Sequence, residues 1–143
     1  SGEFEYSLGA NAEEIKHIEE ELGILLPEAY MDFLSECGSC NYGDVYINGI
    51  YKEKDSISYP VVELTKQLRE DLHLSEDFIV LHYEVDEFLT LYKVSNKVHL
   101  KDAKVFGAKV FCNDKGDFEI YKPTPMFDSF EEYFEDFLDL AED

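Results

Sequence analysis

Residues 23 to 38 read GILLPEAYMDFLSECG, and the proline at their centre forbids one continuous helix through a stretch whose apolar spacing is helical on both sides. Proline lacks a backbone N–H and its ring collides with the carbonyl one turn back, so it is tolerated only in the first turn of a helix. One helix must therefore stop before Pro27 and another must begin there. Gly23 supplies the stop, because glycine adopts the left-handed backbone that closes a helix at little cost. Upstream, Asn11 and Glu14 have capping-box spacing, and Ile15, Ile18 and Leu22 fall on one face. Downstream, Tyr30, Phe33, Leu34 and Cys37 recur at helical spacing until Gly38. The apolar link Ile24–Leu25–Leu26 can pack under both helices, so the front of the chain is expected to be a compact helical pair.

Beyond Gly43 the period drops to two: Val45, Ile47 and Gly49 alternate with Tyr46, Asn48 and Ile50, which predicts a strand reaching Tyr51. Pro60 then opens a third helix, with Val61, Leu64, Leu68 and Leu72 inward and Glu63, Lys66, Glu70 and Asp71 outward. FIVLHY (78–83) and FLTLYKV (88–94), joined by Glu84–Val85–Asp86–Glu87, form one expected hairpin. AKVFCN (108–113) and DFEIYK (117–122), joined by Asp114–Lys115–Gly116, form a second. Pro123 and Pro125 are expected to close the sheet region. A last helix starts at Ser129, with Glu132 as its capping partner, and puts Phe130, Tyr133, Phe134, Phe137, Leu138 and Ala141 on one side. Helices and hairpins in this order predict an α+β fold, a mainly antiparallel sheet packed against the N-terminal helical pair, a central helix and a C-terminal helix. The 143 residues fit a single domain over 1–143, with 1–10 expected as a flexible lead-in and Ser1–Gly2, which lack an initiating Met, as either a cloning remnant or the start of a processed chain.

Charge limits the partners. Against 33 Asp and Glu stand 12 Lys and Arg, a net charge of −21. Such a field repels phosphate backbones and anionic headgroups, so no nucleic acid and no membrane is expected as a direct partner; it attracts a basic protein. No apolar run approaches the ~20 residues of a membrane span, and no basic segment followed by an apolar one opens the chain. Three Cys, an odd number in a chain that needs no staples, point to a reducing, cytoplasmic setting.

Motifs for chemistry are lacking. Cys37–Gly38–Ser39–Cys40 has redox spacing, but Cys37 ends a helix, where the dipole opposes a thiolate; Cys37 is expected in the core and Cys40 in a loop. Zinc would need Cys112 with His82 or His99 in addition, and no second close-spaced pair exists. His17, His73, His82 and His99 match no metal or catalytic spacing, and Asn113–Asp117 is a turn with Lys115 at what would be a calcium-ligand position. No catalytic, metal or cofactor residue is expected. After Lys122 there are eight acids and no base, with Asp139, Glu142 and Asp143 near the negative end of the last helix dipole. That break of a local rule marks either a functional face or plain solubility.

The pattern L-P-x-x-Y-x-x-F-L, here Leu26, Pro27, Tyr30, Phe33 and Leu34, follows an acidic amphipathic helix and leads through a glycine turn into a strand. The closing S-F-x-x-Y-F-x-x-F-L runs from Ser129 to Leu138. Together these ends resemble the SUKH superfamily, the cell wall assembly and immunity protein family. The chain departs from it in lacking tryptophan and in reading CGSCNYG where an Asn-Gly pair is frequent. The resemblance implies an α+β domain that in bacteria binds and blocks a toxin encoded beside it, often a nuclease, and in fungi regulates glucan synthesis and cell wall assembly. It brings no catalytic residues. The leading expectation is thus an immunity protein that docks on a basic cognate toxin, the alternative a regulatory scaffold of cell wall or glucan synthesis, and the third an enzyme with an unrecognised site. Contacts are expected from acids near aromatics: Tyr42, Asp44 and Tyr46; Glu84, Asp86 and Glu87; and Glu131, Glu135 and Asp139 on the outer face of the last helix.

Overall fold

The computed structural model describes residues 3–142, with side chains for residues 3–140. Ser1, Gly2, Asp143 and the side chains of Ala141 and Glu142 lie outside the described residues. Helix α1 (Ala12–Leu22) has its capping box: the Asn11 side chain accepts from the Glu14 N–H, and the Glu14 carboxylate from the Asn11 N–H, both at 2.9 Å. It stops at Gly23, whose φ is 67°. Pro27 is the N-cap of α2 (Glu28–Glu36), one position earlier than expected. The interruption is held by hydrogen bonds to the loop of residues 95–101. Leu25 donates to the Ser95 carbonyl (2.7 Å), and Glu28 and Ala29 donate to Leu100 (2.7 Å) and Lys101 (2.9 Å). Leu26 donates to the Glu19 carboxylate at 2.7 Å.

A small antiparallel sheet follows the order β1 (Phe4–Tyr6), β2 (Cys40–Tyr42), β3 (Val45–Ile47). Residues 4–6, inside the expected lead-in, thus pair with β2, Phe4 opposite Tyr42. The strand expected to reach Tyr51 stops at Ile47. From there the backbone serves other elements: Asn48 donates to Leu81 (2.8 Å), Ile50 to Gly38 (3.0 Å), and Val61 to the Gly49 carbonyl (3.1 Å). Gly49 passes so close to the end of α2 that a Cβ there would lie 2.1 Å from the Gly38 oxygen. A two-stranded ribbon, β4 (Tyr51–Lys52) with β5 (Ile57–Ser58), leads to α3 (Pro60–Asp71).

The main sheet comprises β6 (Phe78–Glu84), β7 (Phe88–Lys93), β8 (Val105–Cys112), β9 (Phe118–Ile120) and β10 (Thr124–Phe127), all antiparallel, in the order β10-β8-β7-β6 with β9 also on β8. Pro123 and Pro125 do not close the sheet; Pro125 lies within β10, an edge strand where a missing N–H is harmless. One face of the sheet, with Ile79, Leu81, Tyr92 and Val105, joins the larger core with α1, α2 and α4 (Phe130–Glu142). The other, with Val80, Leu89, Leu91 and Val110, forms a smaller core with Leu64, Leu68 and Leu72. Helix α3 is rotated from its expected face: Val61, Val62, Thr65 and Leu68 are buried and Leu64 and Leu72 half-buried. The rotation lets α3 cover the β6 edge, where Thr65 Oγ1 accepts the Val80 N–H at 3.0 Å.

At the front of α4, Ser129 accepts the Glu132 N–H at 3.0 Å. Asp102 adds a second cap, accepting from Phe130 N–H (2.8 Å) and Glu131 N–H (3.3 Å), as well as from the Tyr92 hydroxyl (2.7 Å) and Ala103 N–H (2.7 Å). Tyr92 and Phe130 are buried, with ring centroids 5.4 Å apart, and Phe130 also meets Phe33 at 5.3 Å and Tyr30 at 5.5 Å. Replacing Asp102 by Ala uncaps α4 and leaves a buried phenol without its acceptor. Urea unfolding should show a loss of about 2–4 kcal/mol, and the Asp102→Ala and Tyr92→Phe losses should fall short of additivity when combined.

Candidate docking surface

The expected contact residues fall into two places. Strands β2 and β3 join through the two-residue turn Gly43–Asp44, which leaves Asp44 exposed. Tyr46 is 45% exposed and opposite Asn41. Tyr42 has the other parity; it is half-buried and packs, with Phe4, against the larger core. Tyr46 stacks on His82 with centroids 6.2 Å apart and donates its N–H to His82 Nδ1 at 3.4 Å. His82 therefore presents a lone pair at Nδ1 and carries its proton on Nε2. Burial pushes the imidazole below its ordinary range, partly opposed by the charge of Glu84. Through His82 the structure brings Tyr46 beside the β6–β7 turn.

That turn is fixed. Glu87 donates to the Glu84 carbonyl at 2.9 Å, and Asp86 sits at φ 63° with its N–H donated to the Tyr83 hydroxyl at 3.0 Å. A left-handed aspartate is tolerated more readily than most residues because its short polar side chain bonds locally. Glu84, Asp86 and Glu87 are all exposed. Glu131, Glu135 and Asp139 are exposed as well, but on α4, which packs by Phe134 on Phe33 and by Phe137 on Phe4. They lie on a different element, and among the described residues no hydrogen bond, ion pair or ring contact joins them to Tyr46 or the turn.

Sequence reasoning missed the neighbours of Tyr46. Tyr6 (67% exposed) and Tyr51 (49% exposed) line with Tyr46, Glu5 and Asn41 a cavity of about 240 Å³ on the small sheet. No lysine or arginine lines it. The Tyr51 hydroxyl donates to Glu53 at 3.1 Å, and that bond, together with the Glu53 charge, raises the phenol above its ordinary range. Exposed tyrosines beside carboxylates supply flat faces and negative charge, the combination that holds a lysine or arginine side chain.

A family profile described as SUKH_5, SMI1-KNR4 cell-wall, matches residues 5–139. The chain belongs to the SUKH_5 family. No curated protein matches the chain. SUKH proteins include toxin-immunity proteins and SMI1/KNR4-like proteins, and they are generally non-enzymatic. The motifs that carried the resemblance prove to be packing residues of the SUKH_5 fold: Leu26, Tyr30, Phe33, Leu34, Phe130 and Phe137 are all buried.

The remaining groups behave as the packing dictates. Cys40 is not in a loop; it is buried in β2, where burial and then the neighbouring Cys37 push its thiol up to about 12. Cys37 is half-buried, and burial followed by the Glu36 charge raises it too. Both thiols stay protonated at neutral pH, the opposite of a reactive thiolate. Among the described residues no group of three or more His, Cys, Asp and Glu could hold a metal ion, and no helix is long and apolar enough to cross a membrane.

His82 gives a test of the Tyr46 contact. Its pKa is lower in the folded protein, so the unfolded chain takes up the proton first, near the ordinary ~6.5. The contribution to stability is whole above that value and lost as pH falls through it toward the folded value. Urea unfolding between neutral pH and about pH 5 should show this loss, and His82→Gln should flatten it. In an imidazole NMR titration His82 should titrate below the ordinary imidazole range.

Proposed function

We propose that the chain is a cytoplasmic immunity protein that neutralises a cognate toxin by stoichiometric docking, transforming no substrate. The observation that carries the reading is the union of the Tyr46–His82 stack with the acidic Glu84–Glu87 turn, beside a tyrosine cavity that no cation lines. Tyr6, Tyr46 and Tyr51 serve as anchors of modest entropy cost, and Glu84, Asp86 and Glu87 pair with lysines or arginines around them. A nuclease fits as the toxin, because an enzyme that grips phosphate backbones is basic where it works. The net charge of −21 speeds encounter with such a face over a screening length of about 8–10 Å. Asp44 extends the contact at the hairpin tip, Tyr42 supports the hairpin from its core side, and the α4 acids Glu131, Glu135 and Asp139 offer a second arm.

The family's cell-wall description favours a second reading, a regulatory scaffold of cell wall or glucan synthesis that uses the same surface. Co-expression with the product of the adjacent reading frame separates the two. The immunity reading expects toxicity to vanish and an equimolar complex to co-purify; toxicity that persists at equal expression, with no complex, overturns it. Within the complex, Glu84→Gln, Asp86→Asn and Glu87→Gln together should slow association by about tenfold and change dissociation little. Tyr46→Ala should instead speed dissociation, at a cost of about 2 kcal/mol.

A further inference from the structure

A groove of about 630 Å³ runs between the C-terminal end of α3, the β6–β7 turn and the β8–β9 hairpin. Its wall is the open side of the smaller core: Leu64, Leu68, Leu72 and Tyr83 belong to both. At the rim stand two exposed apolar side chains, Val85 at 71% and Phe118 at 39%. The ionisable groups that line it besides Tyr83 are Asp71, Asp86, Asp117, Glu119 and His73, with no lysine or arginine. None of the four carboxylates takes part in an ion pair among the described residues. His73 (φ 54°) and Asp86 (φ 63°), the two non-glycine residues with left-handed backbone among the described residues, both stand on its walls.

In the free protein these features oppose each other's comfort. Apolar side chains face water, and like charges crowd one rim without counter-charges. One kind of occupant relieves both. We propose that this groove seats an extended segment of a protein partner in which lysine or arginine alternates with large apolar residues. In an extended chain successive side chains point to opposite sides, so one set reaches Leu72 and Phe118 while the other meets Asp71, Asp117 and Glu119. Nucleic acid and anionic lipid are repelled by the same rim, and a small hydrophilic cation leaves the apolar wall uncovered. The inference deepens the docking reading above and rests on it for the source of the segment.

The binding measurement needs no toxin. The probe is a labelled, end-capped Lys/Leu alternating peptide of about eight residues, long enough to span the groove at ~3.3 Å per residue. Lys/Ser and Glu/Leu peptides of equal length are its controls. Binding is read by fluorescence anisotropy near physiological salt and located by amide NMR shifts. The Lys/Leu peptide should bind, with shifts centred on Leu72, Val85 and Phe118. Asp71→Asn, Asp117→Asn and Glu119→Gln together should weaken it about tenfold, and Glu13→Gln, Glu20→Gln and Asp32→Asn, the same charge change elsewhere, by less than about twofold. Equal weakening by both triple variants, equal binding of the Lys/Ser peptide, shifts centred on Tyr46 and Tyr51, or no binding would each overturn the groove assignment. Toxin neutralisation that survives loss of peptide binding would sink the groove alone, and peptide binding without neutralisation would sink the immunity reading alone.

Discussion

The loop of residues 95–102 ties together parts of the chain that the backbone ladders leave apart. Its carbonyls accept the free N–H groups at Leu25, Glu28 and Ala29, which the break between α1 and α2 exposes. Its last residue, Asp102, caps α4 and takes the Tyr92 hydroxyl from β7. A negative side chain at a helix N-terminus is favoured by the dipole, and here it also fixes the angle at which Phe130 enters the aromatic cluster of Tyr30, Phe33 and Tyr92. The proline interruption that first constrains the sequence is therefore a docking point as much as a stop. Without it the front helices would have no orphan donors for the loop to satisfy.

What could be read from sequence followed from local rules. The Asn11 box, Gly23, Pro27, Pro60 and Ser129 each act within one turn of a helix, so the four helices were legible almost to the residue. The two long hairpins were legible because β-rich runs flank short turns. Strands β1, β2 and β10 were not: each has three or four residues, and each is defined by a partner brought near by the rest of the fold. The buried face of α3 was misjudged for a related reason. Periodicity marks an apolar stripe, but the demand of the Val80 N–H on the β6 edge for an acceptor selected Thr65 and turned the helix.

The candidate docking surface divides the same way. The acidic turn Glu84–Glu87 was visible as charge between strands, and Tyr46 as an aromatic beside Asp44. Their junction through His82 exists only because β3 lies against β6, which Asn48 secures by donating to Leu81. Tyr6 and Tyr51 were invisible as site residues, since β1 and β4 meet beside Tyr46 only in three dimensions. The α4 acids were legible, but nothing in the sequence said that they occupy a different face.

The proposed mode of action is electrostatically guided docking of a preformed anionic surface on a basic protein. Stopped-flow association of the isolated chain with its purified partner, followed from low salt to about 0.5 M, tests it most directly. Electrostatic guidance predicts an association rate that falls steeply with ionic strength and a dissociation rate that changes little. An association rate indifferent to salt would contradict it.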